Sequence, residues 1–224
     1  GADGRQYLPQ LADVELAARY RLFAIDLPFH GKSLPPDDWD GGPYLLTSDL
    51  YRDWCSAFIE QVIGERAIIV GGSMGAAMAL VMAAERPALT VGIVALEPPF
   101  RSKGRRNPYQ NHVRVHGGLH NGAYVRGLMS PTSPISQRRR ASWIYSQGAP
   151  GVYPGDLAFY SDEFDGAITG PQIDAGRTPI ALLSGTYDYS ATPADGARLA
   201  AHIPGALHLV MEGLGHFPAT EHPD

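Results

Sequence analysis

Three residues in this sequence could together carry out acyl chemistry, although they lie far apart along the chain. Ser73 stands in Gly71-Gly72-Ser73-Met74-Gly75, between the apolar run "AIIV" and the stretch "MGAAMALVMAAERP". A serine on a sharp turn between a strand and a helix has its hydroxyl lifted above the strand end, and the residues two before and two after it are expected to be small. The same turn would aim the Met74 N–H, at the helix start, toward a developing oxyanion. The chain has 26 glycines, so the motif alone could arise by chance. It gains weight from the strand-like run before it and the helix-like run after it.

A serine hydroxyl is a poor nucleophile until a base removes its proton, and the base works best when a carboxylate orients it. Asp188 lies in "LLSGTYDYSATP" and His216 in "VMEGLGHFPATEHPD", each just past an apolar run. Sites in open α/β sheets form outside the carboxyl ends of the strands. Ser73, Asp188 and His216 all occupy such positions.

The elements that would position them alternate. Strands are expected in "YRLFAID" (Tyr20 to Asp26), "RAIIVG", "TVGIVALEPP", "TPIALLSG" and "ALHLVMEG". Helices are expected in "TSDLYRDWCSAFIEQVIG", capped by Thr47 or Ser48 and stopped at Gly64, in "MGAAMALVMAAERP" and in "TPADGARLAAHIPG". This alternation predicts an α/β fold, a mostly parallel central sheet with helices on both faces. Residues 100–170 break the pattern. They are rich in Arg, Gly, Tyr and Pro and read as an irregular insertion.

Together these features resemble the α/β-hydrolase family, in its serine esterase branch. "AIDLPFHGKS" is similar to the family's Asp-x-Pro-Gly-His-Gly-x-Ser loop, with Phe29 at the usual glycine. "GTYDYSATP" resembles its acid loop and "GHFPATEHPD" its histidine loop, in the family's order of serine, acid, histidine. The resemblance implies a core of residues 1–99 and 171–224, with residues 100–170 in the position of a cap or lid. It makes Ser73 the nucleophile, His216 the base, Asp188 the orienting acid and Met74 one oxyanion donor, and leaves the second donor unassigned. It also implies strands before the opening "GADGRQYLPQL" and a final helix opened by "EHPD". One of those strands would lie centrally, between Tyr20–Asp26 and the strand ending at Gly71, so the sequence reads as part of a longer chain.

Other polar residues have more ordinary readings. His30 is expected to be structural, and His208 a packed histidine within a strand. His116 and His120 have helical spacing but lack further metal ligands, so no metal site is expected. Glu97, after a strand end, is the rival to Asp188 as orienting acid. Cys55 is the lone cysteine, which excludes a disulfide framework, and it reads as a buried, inert thiol.

The insertion carries an unusual charge pattern. Nine of the chain's 18 basic residues lie between Phe100 and Tyr145, and that interval has no Asp or Glu. A solvated face accounts for most of them. One or two of Arg101, Arg105, Arg106, Arg114 and Arg126 are candidates to point inward and pair with an anionic substrate group.

The 224 residues carry a net charge of -5, against a nucleic-acid partner, and no apolar run is long enough for a membrane span. The expected function is hydrolysis of a carboxylic ester, a half-ester with a free carboxylate in particular, through an acyl-enzyme. No cofactor is expected, the partner is the small ester substrate, and the expected location is cytoplasmic. The rival functions are hydrolysis of a carbon–carbon bond in a diketone-like acid and ligand binding without turnover.

Overall fold

A computed structural model describes residues 1–223. Among them, four strands form one parallel sheet in the order β1 (Ala67–Gly72), β2 (Thr90–Leu96), β3 (Ile180–Gly185), β4 (Leu207–Met211). Helix Met74–Glu85 connects β1 to β2, and helix Pro193–His202 connects β3 to β4. The register brings the carboxyl ends level: Gly72 pairs with Leu96, Leu96 with Leu183, and Gly185 with Met211. The loops carrying Ser73, Asp188 and His216 therefore leave the sheet along one rim.

Helix Met74–Glu85 is apolar all round, and all eight residues from Ala76 to Ala83 are buried. It packs on β1 and β2 and is covered in turn by helix Ser48–Phe58 and by residues 166–172. The small side chains of Ala76, Ala77, Ala79 and Ala83 suit a helix enclosed in this way. Helix Ser48–Phe58 is capped by Thr47, whose hydroxyl accepts from the Leu50 N–H at 3.2 Å. It widens into a π-turn, Ile59–Ile63, and ends at Gly64, which adopts the left-handed conformation.

Two expectations need correction. The run Tyr20–Asp26 forms no strand; Tyr20 and Phe23 are exposed, and the segment lines a cavity facing β1 instead of pairing with it. An apolar, aromatic run becomes a strand only where a neighbouring ladder meets it, and β1 pairs with β2 alone among the described residues. The insertion, read as irregular, is largely helical. It contains Gly117–Leu128, Ile135–Ser146, Val152–Leu157, the π-turn Ala158–Glu163 and the short helix Gly166–Thr169.

The glycines that hid the first of these helices are what allow it to pack. A Cβ on Gly118 would lie 2.6 Å from the Ser146 carbonyl oxygen, and one on Gly122 would lie 3.0 Å from the Ser142 carbonyl oxygen. Helices Gly117–Leu128 and Ile135–Ser146 meet backbone to backbone along this line. Ser142 Oγ also donates to the Gly122 carbonyl at 2.7 Å. Residues that lower helix propensity are here required by the crossing. Gly118→Ala should destabilise the fold by about 1–3 kcal/mol through overpacking. Urea unfolding checks this, and an unchanged midpoint would contradict the close approach.

Candidate active site

Ser73 closes β1 and caps the helix that follows. Its backbone sits at φ 53, ψ -109, a strained conformation for a residue with a Cβ. Its N–H still donates to the Leu96 carbonyl at 2.8 Å, and its own carbonyl accepts from the Ala77 N–H at 3.0 Å. The turn is so sharp that a Cβ on Gly71 would stand 2.3 Å from the Gly75 carbonyl oxygen. Small residues are expected on both sides of such a serine, but the structure requires glycine only at Gly71. A Cβ on Gly75 would meet nothing nearer than the Tyr51 hydroxyl at 3.9 Å. Met74 is the first helical residue, so its N–H has no intrahelical acceptor.

His216 Nε2 lies 2.8 Å from Ser73 Oγ, and His216 Nδ1 lies 2.6 Å from Asp188 Oδ2. Asp188 and His216 are both buried. Burial alone would raise the Asp188 pKa. The hydrogen bond and charge of His216, with the N–H groups of Ser190 and Ala191, outweigh burial and hold the carboxyl below its ordinary range. An ionised carboxylate can only accept, so Nδ1 must carry its proton. In the neutral ring Nε2 is then free to accept from Ser73.

The histidine loop is tied to the insertion through a second buried carboxylate. Glu221 Oε2 accepts from the Ser130 N–H at 2.9 Å, Ser133 Oγ at 2.7 Å and the Gly215 N–H at 3.2 Å. Its Oε1 accepts from the Phe217 N–H at 2.9 Å, and the His216 N–H donates to the Leu128 carbonyl at 3.0 Å.

Glu97, the rival acid, is excluded from the ion-pair role by its surroundings. It is fully buried at the end of β2, and both carboxyl oxygens lie 2.9 Å from the Gly185 N–H. Burial is the main cause that pushes its pKa from the ordinary 4.5 to about 10; the Gly185 N–H opposes this, and the negative Asp188 and Glu221 add to it. Glu97 is therefore neutral where Asp188 is charged.

The remaining candidates separate clearly. Arg105 lines a cavity of 1160 Å³ that Ser73, His216 and Tyr160 also line. Its guanidinium donates to Tyr124 Oη at 2.6 Å, to Ser190 Oγ at 2.8 Å and to the Ser190 carbonyl at 3.0 Å, and it has no carboxylate partner among the described residues. Arg101 is paired with Asp165 at 2.7 Å and Arg106 with Asp162 at 2.9 Å. Arg114 and Arg126 are exposed and do not line the cavity. His30 is buried, with Nε2 3.1 Å from Asp156 Oδ2. His116 caps helix Gly117–Leu128, accepting from the Leu119 N–H. His208 Nε2 lies 3.2 Å from Ser184 Oγ. Phe29, at the family's glycine, takes φ 70 and is held between Trp39 and Tyr44, at ring distances of 5.3 and 4.7 Å. Cys55, expected to be buried, is half-buried and lines the same cavity; the burial it has pushes the thiol up to about 12.

Sequence reasoning did not find Tyr160. Its hydroxyl lies 3.0 Å from Ser73 Oγ, from inside the π-turn Ala158–Glu163. Burial keeps this phenol above its ordinary pKa, so it stays protonated. The run "DLAFYSDEF" has no motif that marks it, because the contact spans 87 positions of sequence.

The profile of the alpha/beta hydrolase family matches residues 1–224, and the chain belongs to that family. Among solved structures, a thermophilic esterase from Thermogutta terrifontis, with malate bound, superposes with a TM-score of 0.84 at 18% identity, covering 99% of this chain and 81% of that one. The enol-lactonase from Burkholderia xenovorans gives 0.82 at 21% identity, covering 100% and 83%. An aryl esterase candidate from Burkholderia cenocepacia gives 0.79 at 21% identity, covering 99% and 82%. In sequence, the chain is 34% identical over 126 residues to the chloroplastic pheophytinase of Arabidopsis thaliana; the match spans 45% of this chain and 26% of that protein. Among the described residues no helix is long and apolar enough to cross a membrane.

The neutral state of Glu97 has a consequence for stability. The folded chain keeps a proton that the unfolded chain releases near 4.5, so stability falls as pH rises from there toward about 10. The slope for one such group approaches about 1.4 kcal/mol per pH unit. Glu97→Gln cannot ionise, so between about pH 5 and pH 9 it should gain stability relative to wild type as pH rises. Urea midpoints across that range measure it, and parallel curves would show that Glu97 is ionised in the fold.

Proposed function

We propose that the protein hydrolyses a carboxylic ester through an acyl-enzyme, with Ser73 as nucleophile, His216 as proton shuttle, Asp188 as orienting acid and the Met74 N–H as an oxyanion donor. The observation that carries this reading is the unbroken hydrogen-bond chain from Asp188 through His216 to Ser73, opening on a cavity. Attack moves the Ser73 proton to Nε2, the imidazolium is stabilised by Asp188, and the proton then leaves with the alcohol. Water repeats the sequence on the acyl-enzyme. The esterases and the lactonase among the structural neighbours are named for reactions of this kind. No observation favours carbon–carbon cleavage or binding without turnover. Residues 100–170 act as the cap in this reading, since they supply Arg105, Tyr124 and Tyr160 to the cavity wall. A cytoplasmic location belongs to the same proposal and rests only on the single cysteine.

The substrate we propose is a half-ester whose free carboxylate meets Arg105. Support comes from a guanidinium that lines the cavity with neutral partners only, while Arg101 and Arg106 are neutralised by aspartates. A neighbouring esterase was solved with malate, a dicarboxylic acid. Kinetics on a monoalkyl phthalate and its matched dialkyl ester test both levels. Ser73→Ala should lower kcat by on the order of 10⁴- to 10⁶-fold on either substrate. Arg105→Ala should reduce the half-ester to diester preference by roughly 10- to 150-fold, the worth of a hydrogen bond to a charged group. Activity surviving in Ser73→Ala would overturn the acyl-enzyme on Ser73, and a wild type inert on both substrates would overturn the ester-hydrolase reading. An unchanged preference in Arg105→Ala would overturn only the half-ester.

A further inference from the structure

We infer that Tyr160 is a catalytic residue, whose hydroxyl donates a hydrogen bond to the oxyanion of the tetrahedral intermediate alongside the Met74 N–H. The inference rests on the ester-hydrolase reading of Ser73 and adds a group that the triad does not contain.

In the resting site Ser73 Oγ has two polar neighbours, His216 Nε2 at 2.8 Å and Tyr160 Oη at 3.0 Å. The serine proton is directed to the imidazole, so the remaining bond at Oγ must be donated by the tyrosine. Tyr160 is buried and its phenol is held in the neutral form, which makes it a donor. Its position is well defined. The π-turn Ala158–Glu163 carries it, with Phe159 packed edge-on against Tyr51 on one side and Phe164 on the other. Single π-turns of this kind are concentrated at functional sites.

The chemistry then requires the donor to be redirected. When Oγ attacks, its lone pair forms the bond to the carbonyl carbon and its proton passes to His216. The carbonyl π pair moves onto oxygen. Oγ is now an ester-type oxygen and a weak acceptor, while the new oxyanion is attached to the carbon that Oγ holds. A hydroxyl already in contact with Oγ meets that oxyanion by rotation of its O–H and a small shift. No proton is transferred from Tyr160, because collapse of the intermediate returns the electron pair to the carbonyl and expels the alkoxide, which takes the proton from His216. The bond is therefore stronger in the transition state than in the ground state, the condition for raising kcat. A tyrosine that only positioned Ser73 would change kcat without a matching change in affinity for a tetrahedral adduct.

The test compares wild type, Tyr160→Phe and Ser73→Ala for ester turnover and for inhibition by an alkyl boronic acid, which forms a tetrahedral adduct on a nucleophilic serine. Tyr160→Phe should lower kcat by about 10²- to 10³-fold with KM little changed, the cost of losing one oxyanion donor. The boronic acid Ki should rise in the same proportion. Turnover within threefold of wild type, a higher kcat, or a fall in kcat without a matching rise in Ki would overturn the inference. Ser73→Ala separates the two claims: ester turnover surviving in it defeats the assignment of Ser73 as nucleophile, whereas its loss beside a fully active Tyr160→Phe defeats only the role of Tyr160. Should Tyr160→Phe fail to fold, 3,5-difluorotyrosine at position 160 keeps the ring and hydroxyl and makes the O–H more acidic. Assayed at a pH where it stays protonated, it should bind the boronic acid more tightly than wild type, and an equal or weaker Ki would overturn the inference.

Discussion

The strained backbone of Ser73 is the constraint on which the site depends. At φ 53 the chain reverses from β1 into a buried helix within a single residue. Nothing but glycine fits at Gly71, because the chain folds back to 2.3 Å from where its Cβ would be. The cost of such a turn is on the order of 1–3 kcal/mol. It is offset by the Leu96 carbonyl that receives the Ser73 N–H and by the apolar helix packed on β1 and β2. What the turn provides is direction. It exposes the hydroxyl to His216 and Tyr160 while leaving the Met74 N–H without an intrahelical partner.

Three buried carboxyl groups on and beside the loops that carry Asp188 and His216 are kept distinct by their partners. Asp188 has a histidine and two backbone N–H groups, and stays charged. Glu97 has one backbone N–H between two oxygens and lies near the Asp188 charge, so it keeps its proton. Glu221 receives four donors and uses them to fasten the histidine loop to residues 130–133 of the insertion. The insertion acts on the site through such contacts. It fixes the loop that carries His216, supplies Tyr160 to Ser73 and brings Arg105 onto the acid loop through Ser190.

The legible part of this site was the part encoded locally. Ser73, Asp188 and His216 each lie just past a strand, and short apolar runs followed by loops that resemble the family's are what mark them. Thr47 and Gly64 marked their helix ends for the same reason. What stayed hidden depends on distant partners. Tyr160 meets Ser73 only after the insertion folds, and the one cavity-lining arginine among five could not be told from its charge. The glycine content of residues 100–170 read as irregularity, whereas Gly118 and Gly122 let two helices touch. Tyr20–Asp26 has the composition of a strand and no ladder partner, which composition cannot report. Phe29 occupies a backbone position suited to glycine because Trp39 and Tyr44 enclose its ring.

The central claim is that acyl transfer passes through Ser73. Rapid acid quench during turnover of a slowly deacylating ester, followed by peptide mass spectrometry, addresses it directly. The account predicts an acyl mass increment on the peptide containing Ser73, formed in a burst and lost as product appears. Turnover with no acylated peptide, or with the acyl group on another residue, would contradict it.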